Sequence, residues 1–190
     1  MKVQSMRGAR ALVVATILLS MLSVASEAAR PSQESIDNMI PTNLATVAGR
    51  QGTLAIVLDD GGSKQITKLL NSERKHEEYV QALGVAIVRS GVFKEVTPRD
   101  DGNYRLEIVV TSVGVVYGIG YQLNLNTTWR LTDVKANRVV WTDVVGSTFN
   151  TTIHDAASGA KRVRLTQEGV FRENIRLGIA ELAKLEVGAR

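Results

Sequence analysis

From Tyr121 to Leu131 the chain alternates without a break. Tyr121, Leu123, Leu125, Thr127, Trp129 and Leu131 fall on one side, and Gln122, Asn124, Asn126, Thr128 and Arg130 on the other. Successive side chains of a strand point to opposite faces, so this pattern predicts a strand with one face in a core and one in water. A slip of one residue would turn the whole apolar set outward, which fixes the register. Residues 133–138 (Asp-Val-Lys-Ala-Asn-Arg) supply a turn, and a second strand is expected from 139 to about 152, with Trp141 across from Trp129 or Leu131.

The other elements group around this hairpin. Leu54, Ala55, Ile56, Val57 and Leu58 form a short apolar run ended by Asp59-Asp60-Gly61-Gly62, which reads as a strand buried on both faces. Between about 72 and 90, Val80, Leu83, Ile87 and Val88 recur with helical period behind a charged first turn, with Asn71 or Ser72 as cap and Gly91 as stop. Tyr104, Leu106, Ile108 and Val110 alternate with Arg105, Glu107 and Thr111 in a further strand, which then meets Gly114, Gly118 and Gly120, the mark of a bulge, a bend or a hairpin tip. A last helix is expected over about 165–186, on the stripe Phe171, Ile175, Ile179 and Leu182, preceded by a loop at 154–160. The fold class is therefore α+β, an antiparallel sheet of about four strands with two helices packed on one face.

The amino terminus gives an address. Lys2, Arg7 and Arg10 precede an apolar run from 11 to 25, and the small residues Ser26 and Ala28 suit cleavage, so residues 1–28 read as an export signal. About 15 apolar residues at 1.5 Å each fall short of the roughly 30 Å hydrocarbon core, which favours a cleaved signal over a retained anchor. The Pro-, Ser- and Asn-rich residues 29–51 read as an irregular lead-in, and 52–190 as a single domain. Removing residues 1–28 takes away Lys2, Arg7, Arg10 and Glu27, so the net charge falls from +4 to about +2. The basic character belongs largely to the signal, and nucleic acid is not an expected partner. The chain has no cysteine, so its stability comes from a core, and no lipid can be attached through a thiol.

No reactive constellation stands out. The two histidines, His76 and His154, are far apart in sequence, and without cysteine they do not make a structural zinc site. Asp59-Asp60 and Asp100-Asp101 beside glycines read as turns. His154-Asp155 with Ser158 contains a base, an orienting acid and a hydroxyl, but without a nucleophile elbow. No cofactor or metal is expected. Two features suit contact with a partner: the glycine-rich tip with Tyr117, Ile119 and Tyr121, and the basic group Lys161, Arg162 and Arg164.

The residues Tyr104-Arg105-Leu106-Glu107-Ile108, Trp129-Arg130-Leu131-Thr132-Asp133, Val139-Val140-Trp141 and Arg172-Glu173-Asn174-Ile175 sit in an order of elements that resembles small envelope lipoproteins of Gram-negative bacteria. Among these are the lipopolysaccharide-assembly and transport-auxiliary lipoproteins. The likeness spans about 54–186 and implies a non-enzymatic assembly or adaptor factor. The lipidated cysteine of those proteins is missing here, so their anchor does not carry over. The resulting expectation is an exported periplasmic binding or adaptor protein, associated with a membrane or free of it, whose partner is an envelope protein or lipid component or a second copy of itself. The alternatives are a small envelope hydrolase or transferase using His154, and a carrier of lipid or apolar ligand.

Overall fold

The computed structural model describes residues 31–47, 52–59, 73–97, 102–118 and 120–185. The signal at 1–28, the caps Asn71 and Ser72, the carboxylates Asp60, Asp100 and Asp101, and Ile119 lie outside the described residues. In chain order the elements are α1 (Gln33–Met39), β1 (Thr53–Asp59), α2 (Glu73–Ser90), β2 (Glu95–Thr97), β3 (Tyr104–Tyr117), β4 (Tyr121–Asp133), β5 (Arg138–Thr151) and α3 (Gly159–Ala183).

The sheet corrects the expectation of four antiparallel strands. It has five, in the order β2-β1-β3-β4-β5, and it is mixed. β1 runs parallel to both β2 and β3, while β3-β4-β5 is an antiparallel meander. The physical reason lies in the connections. Parallel neighbours need a crossover, and α2 supplies it between β1 and β2; antiparallel neighbours need only the tight turns that follow β3 and β4. The three-residue β2 is too short to show a period, so nothing in its sequence marks it as a strand.

The alternation of β4 holds along its length. Leu123, Leu125, Thr127, Trp129 and Leu131 are buried, and Leu131 stands opposite Trp141. β1 is less covered than its apolar run implies: Leu54, Ala55 and Leu58 are buried, but Val57 is 41% exposed. α2 and α3 pack on the side of the sheet that carries Leu54 and Leu58, α1 packs on those two helices, and Val57 points to the opposite side.

The helices pack by close approach. A Cβ at Gly178 would collide with the indole ring of Trp129, and one at Gly169 with the ring of Phe149, so α3 sits directly on the two large side chains of the meander. α3 also begins earlier than expected: Ser158 is its N-cap, its hydroxyl accepting from the backbone N–H of Lys161, so Lys161, Arg162 and Arg164 belong to the first turns of the helix. Gly91, at φ 73°, stops α2 as expected.

The lead-in is not irregular throughout. Residues 33–39 form α1, capped by Ser32, and Ile36, Met39 and Ile40 enter the core. Two buried carboxylates grip it. Glu78 of α2 accepts from the Ser32 backbone N–H and from Lys75 Nζ, each at 2.8 Å. Glu168 of α3 accepts from Ser35 Oγ at 3.0 Å and Asn38 Nδ2 at 2.9 Å, with Arg164 Nε at 3.8 Å. Buried charge is tolerated only where it is paired and hydrogen-bonded, as it is here.

Candidate functional site

The β3–β4 arm extends well beyond its neighbour. Among the described residues β1 pairs with β3 as far as Val109, and β3 continues to Tyr117, a further eight residues or about 25 Å of strand, while β5 accompanies β4 to the tip. A bulge at Thr111 shifts the phase of β3, so that Val113, Val115 and Tyr117 come opposite Leu125, Leu123 and Tyr121 on the helix side. Without the bulge these side chains would point to the opposite face.

At the end of the arm this face outruns its cover. Val115 is 40% exposed and Tyr117 79%, while Val116, on the opposite face beside Gln122, is 51% exposed. The rings of Tyr117 and Tyr121 lie 5.5 Å apart and tilted by 60°. Tyr121 is half-buried, and its phenol is held above the ordinary value, first by burial and then by the nearby Tyr117. The turn is tight: Gly118 N–H donates to the Gly120 carbonyl at 3.2 Å, and a Cβ at Gly120 would stand 2.5 Å from the Thr151 carbonyl oxygen. Gly120 thus lets β4 close against the end of β5.

β4 and β5 are fastened to α3 at the tip end. Thr166 Oγ1 lies 3.3 Å from the Tyr121 carbonyl and 2.7 Å from Thr151 Oγ1. This brings the first two turns of α3 to the same end of the domain as the tip, which joins the two groups of residues the sequence singled out.

The basic group does not act together. Lys161 is exposed, whereas Arg162 turns inward and donates to the carbonyls of Ala156 at 2.7 Å and Ala157 at 3.0 Å. Arg164 is occupied by Glu34 at 3.0 Å and by Glu168. One open cation remains at this end out of the three. The sequence could not show this, because the two arginines are engaged by a loop and by α1, both distant from any periodic signal.

His154, Asp155 and Ser158 do not form a catalytic arrangement. Asp155 accepts from the backbone N–H of Thr152 at 2.7 Å and from its hydroxyl at 2.9 Å, and these bonds, the backbone one foremost, hold its carboxyl below the usual range. Ser158 is engaged as the cap of α3. The acid therefore orients Thr152, and the hydroxyl serves the backbone. Among the described residues no group of three or more His, Asp or Glu could hold a metal ion, and no helix is long and apolar enough to cross a membrane.

No family model matches the chain, and no curated protein matches it in sequence. Among solved structures it is similar to a Xanthomonas campestris protein of the DUF330 family, at 12% identity, with a TM-score of 0.54 over 75% of this chain and 91% of that one. The chain shares the fold of that protein. More distant likenesses are a minor lipoprotein from Acinetobacter baumannii (14% identity, 69% and 91% covered, TM-score 0.43) and the PelC dodecamer from Paraburkholderia phytofirmans (15%, 71% and 93%, 0.41).

Proposed function

We propose that the protein is an exported binding or adaptor component of the bacterial cell envelope, non-enzymatic, that makes its contact through the β3–β4 tip. The observation that carries this reading is the run Val115-Val116-Tyr117, exposed at 40%, 51% and 79% at the end of a strand that continues past β1, its neighbour on that side. Apolar residues scattered singly over a surface need no explanation, but a contiguous set at the end of a projecting, well-paired arm does. The reading of residues 1–28 as an export signal supports an envelope address for such an arm. The periplasm is the compartment this reading requires, and an envelope protein or lipid component is the partner.

A photo-crosslinking residue at position 117, in cells of a Gram-negative host expressing the chain, tests it. Adducts to an envelope component are expected at Tyr117 and not at Thr142, which is exposed on the face of the sheet away from α2 and α3. Equal adducts at both positions, or none at 117, would sink the proposal.

A further inference from the structure

α2 carries more apolar surface than the core uses. Tyr79, Ala82, Leu83, Ala86 and Ile87 are buried against the sheet and α3. A second stripe, Val80, Gly84 and Val88 at i, i+4 and i+8 with Val85 beside it, turns instead toward the β2 edge. Val85 is 38% exposed and Val88 45%. Together with Ile56 of β1 and Val96 of β2, this stripe lines an apolar groove of about 840 Å³. A second hollow of about 350 Å³ shares Ile56, Val80 and Gln81 with it and reaches His76 and Glu77. The length of the two along α2, from Glu77 to Arg89, is about 18 Å at 1.5 Å per residue.

Gly84 lies in the floor of the groove, midway along a helix. Glycine there costs about 1 kcal/mol relative to alanine. Packing does not demand it, since a Cβ at Gly84 would meet Val96 Cγ1 at 3.5 Å, an ordinary contact. What the missing side chain does provide is depth.

The mouth of the groove is charged at one end. Arg89, in the last turn of α2, and Lys94, just before β2, are both exposed, and neither pairs with a carboxylate among the described residues. Glu95 shares the rim, so the end nearest β2 carries two cations against one anion. A mostly apolar groove with an excess of positive charge at one end is complementary to a molecule with a hydrocarbon tail and an anionic head.

We infer that this groove binds the acyl chain of an anionic amphiphile, its head held by Arg89 and Lys94 and its tail lying along Val88, Gly84 and Val80 toward His76. A free fatty acid and a lysophospholipid share this chemistry. The site involves none of the tip residues, so it stands or falls separately from the proposed adaptor role.

Binding is measured on the chain recovered from the envelope of an expressing cell, by displacement of a fluorescent acyl probe, with palmitate and lysophosphatidylglycerol as competitors. Saturable, one-to-one displacement is expected from one or both, and their relative potency tells the two sources apart. Gly84→Leu fills the trough and is expected to weaken binding at least about tenfold, the cost of losing roughly two buried methylenes' worth of contact. Val88→Lys, at an exposed position that leaves the core untouched, is expected to do the same, so a folding defect in the first variant does not decide the matter. The pair Arg89→Glu and Lys94→Glu is expected to weaken palmitate about tenfold while leaving hexadecanol unchanged. The inference is overturned if no competitor saturates, if Gly84→Leu and Val88→Lys bind as the parent does, or if the groove variants abolish self-association that acyl chains do not compete with, which would make it an interface between copies.

Discussion

The two ends of the β3–β4 arm are built from the same alternating pattern and meet opposite fates. At the root, Trp129 and Leu131 lie under α3, wholly buried. At the tip, Val115 and Tyr117 occupy the same side of the same sheet, yet they extend past the cover that the helices provide, and Tyr121 opposite is only half-buried. Alternation in a sequence specifies which side chains share a face. It does not specify how far along that face a helix reaches, and that second quantity separates a core from a contact surface.

The difference in burial predicts a difference in stability, which is the most direct way to break the comparison. Trp129→Ala removes a fully buried indole on which Gly178 rests, and its Nε1 donates to Thr127 Oγ1 at 2.9 Å. It is expected to cost about 3–5 kcal/mol in chemical denaturation, enough to leave a domain of this size marginal. A loss below about 1 kcal/mol would mean that α3 does not pack here as described.

A smaller effect tests the polar knot beneath it. Asn174 of α3 accepts from the Tyr79 hydroxyl at 3.0 Å and donates to Thr127 Oγ1 at 3.0 Å and the Val145 carbonyl at 3.2 Å, tying α2, β4 and β5 to one amide. Asn174→Ala strands the buried Tyr79 hydroxyl and takes one partner each from Thr127 Oγ1 and the Val145 carbonyl, and is expected to cost about 1–3 kcal/mol. Burial holds the Tyr79 phenol above its ordinary value of 10.0. The folded state therefore keeps a proton that the unfolded chain releases, so this contribution is whole below pH 10 and declines as the pH rises above it. Stability measured from pH 9 upward should fall with a slope that Tyr79→Phe reduces. An unchanged slope in Tyr79→Phe would show that another group, Tyr121 among them, controls the alkaline limb.

The root was legible in the sequence and the rest less so, for reasons that differ from place to place. β4 announces itself because a half-buried strand cannot hide a period of two, and α2 because its stripe and its glycine stop agree. The parallel placement of β1 leaves no local trace, since strand direction is decided by a crossover whose path depends on packing. α1 was hidden by its length and by its chemistry: seven residues hold too little periodicity, and what fastens them is Glu78 and Glu168, more than 40 residues away in the chain. The glycine-rich tip was visible as an apolar loop. The division of labour among Lys161, Arg162 and Arg164 was not, because it turns on which carbonyl or carboxylate each side chain reaches. The groove beside α2 went unseen for a related reason: Val80 and Val88 fit a core stripe as well as a second face, and only the position of β2 separates the two.

The tip should respond in the reverse way to the root. Tyr117→Ser exchanges a side chain that is 79% exposed, whose described contact is the ring of Tyr121 at 5.5 Å. Surface changes away from buried features lie within about 0.5 kcal/mol, so the melting profile should barely move. Binding in the envelope should nevertheless suffer, because an exposed aromatic at the end of a projecting arm adds contact area at little cost in side-chain entropy. The informative variant therefore leaves unfolding unchanged while removing the tip-dependent crosslinks, read from a probe moved to position 115. If Tyr117→Ser instead destabilised the fold by as much as Asn174→Ala, the tip would belong to the core as the root does, and its apolar side chains would need no partner to explain them.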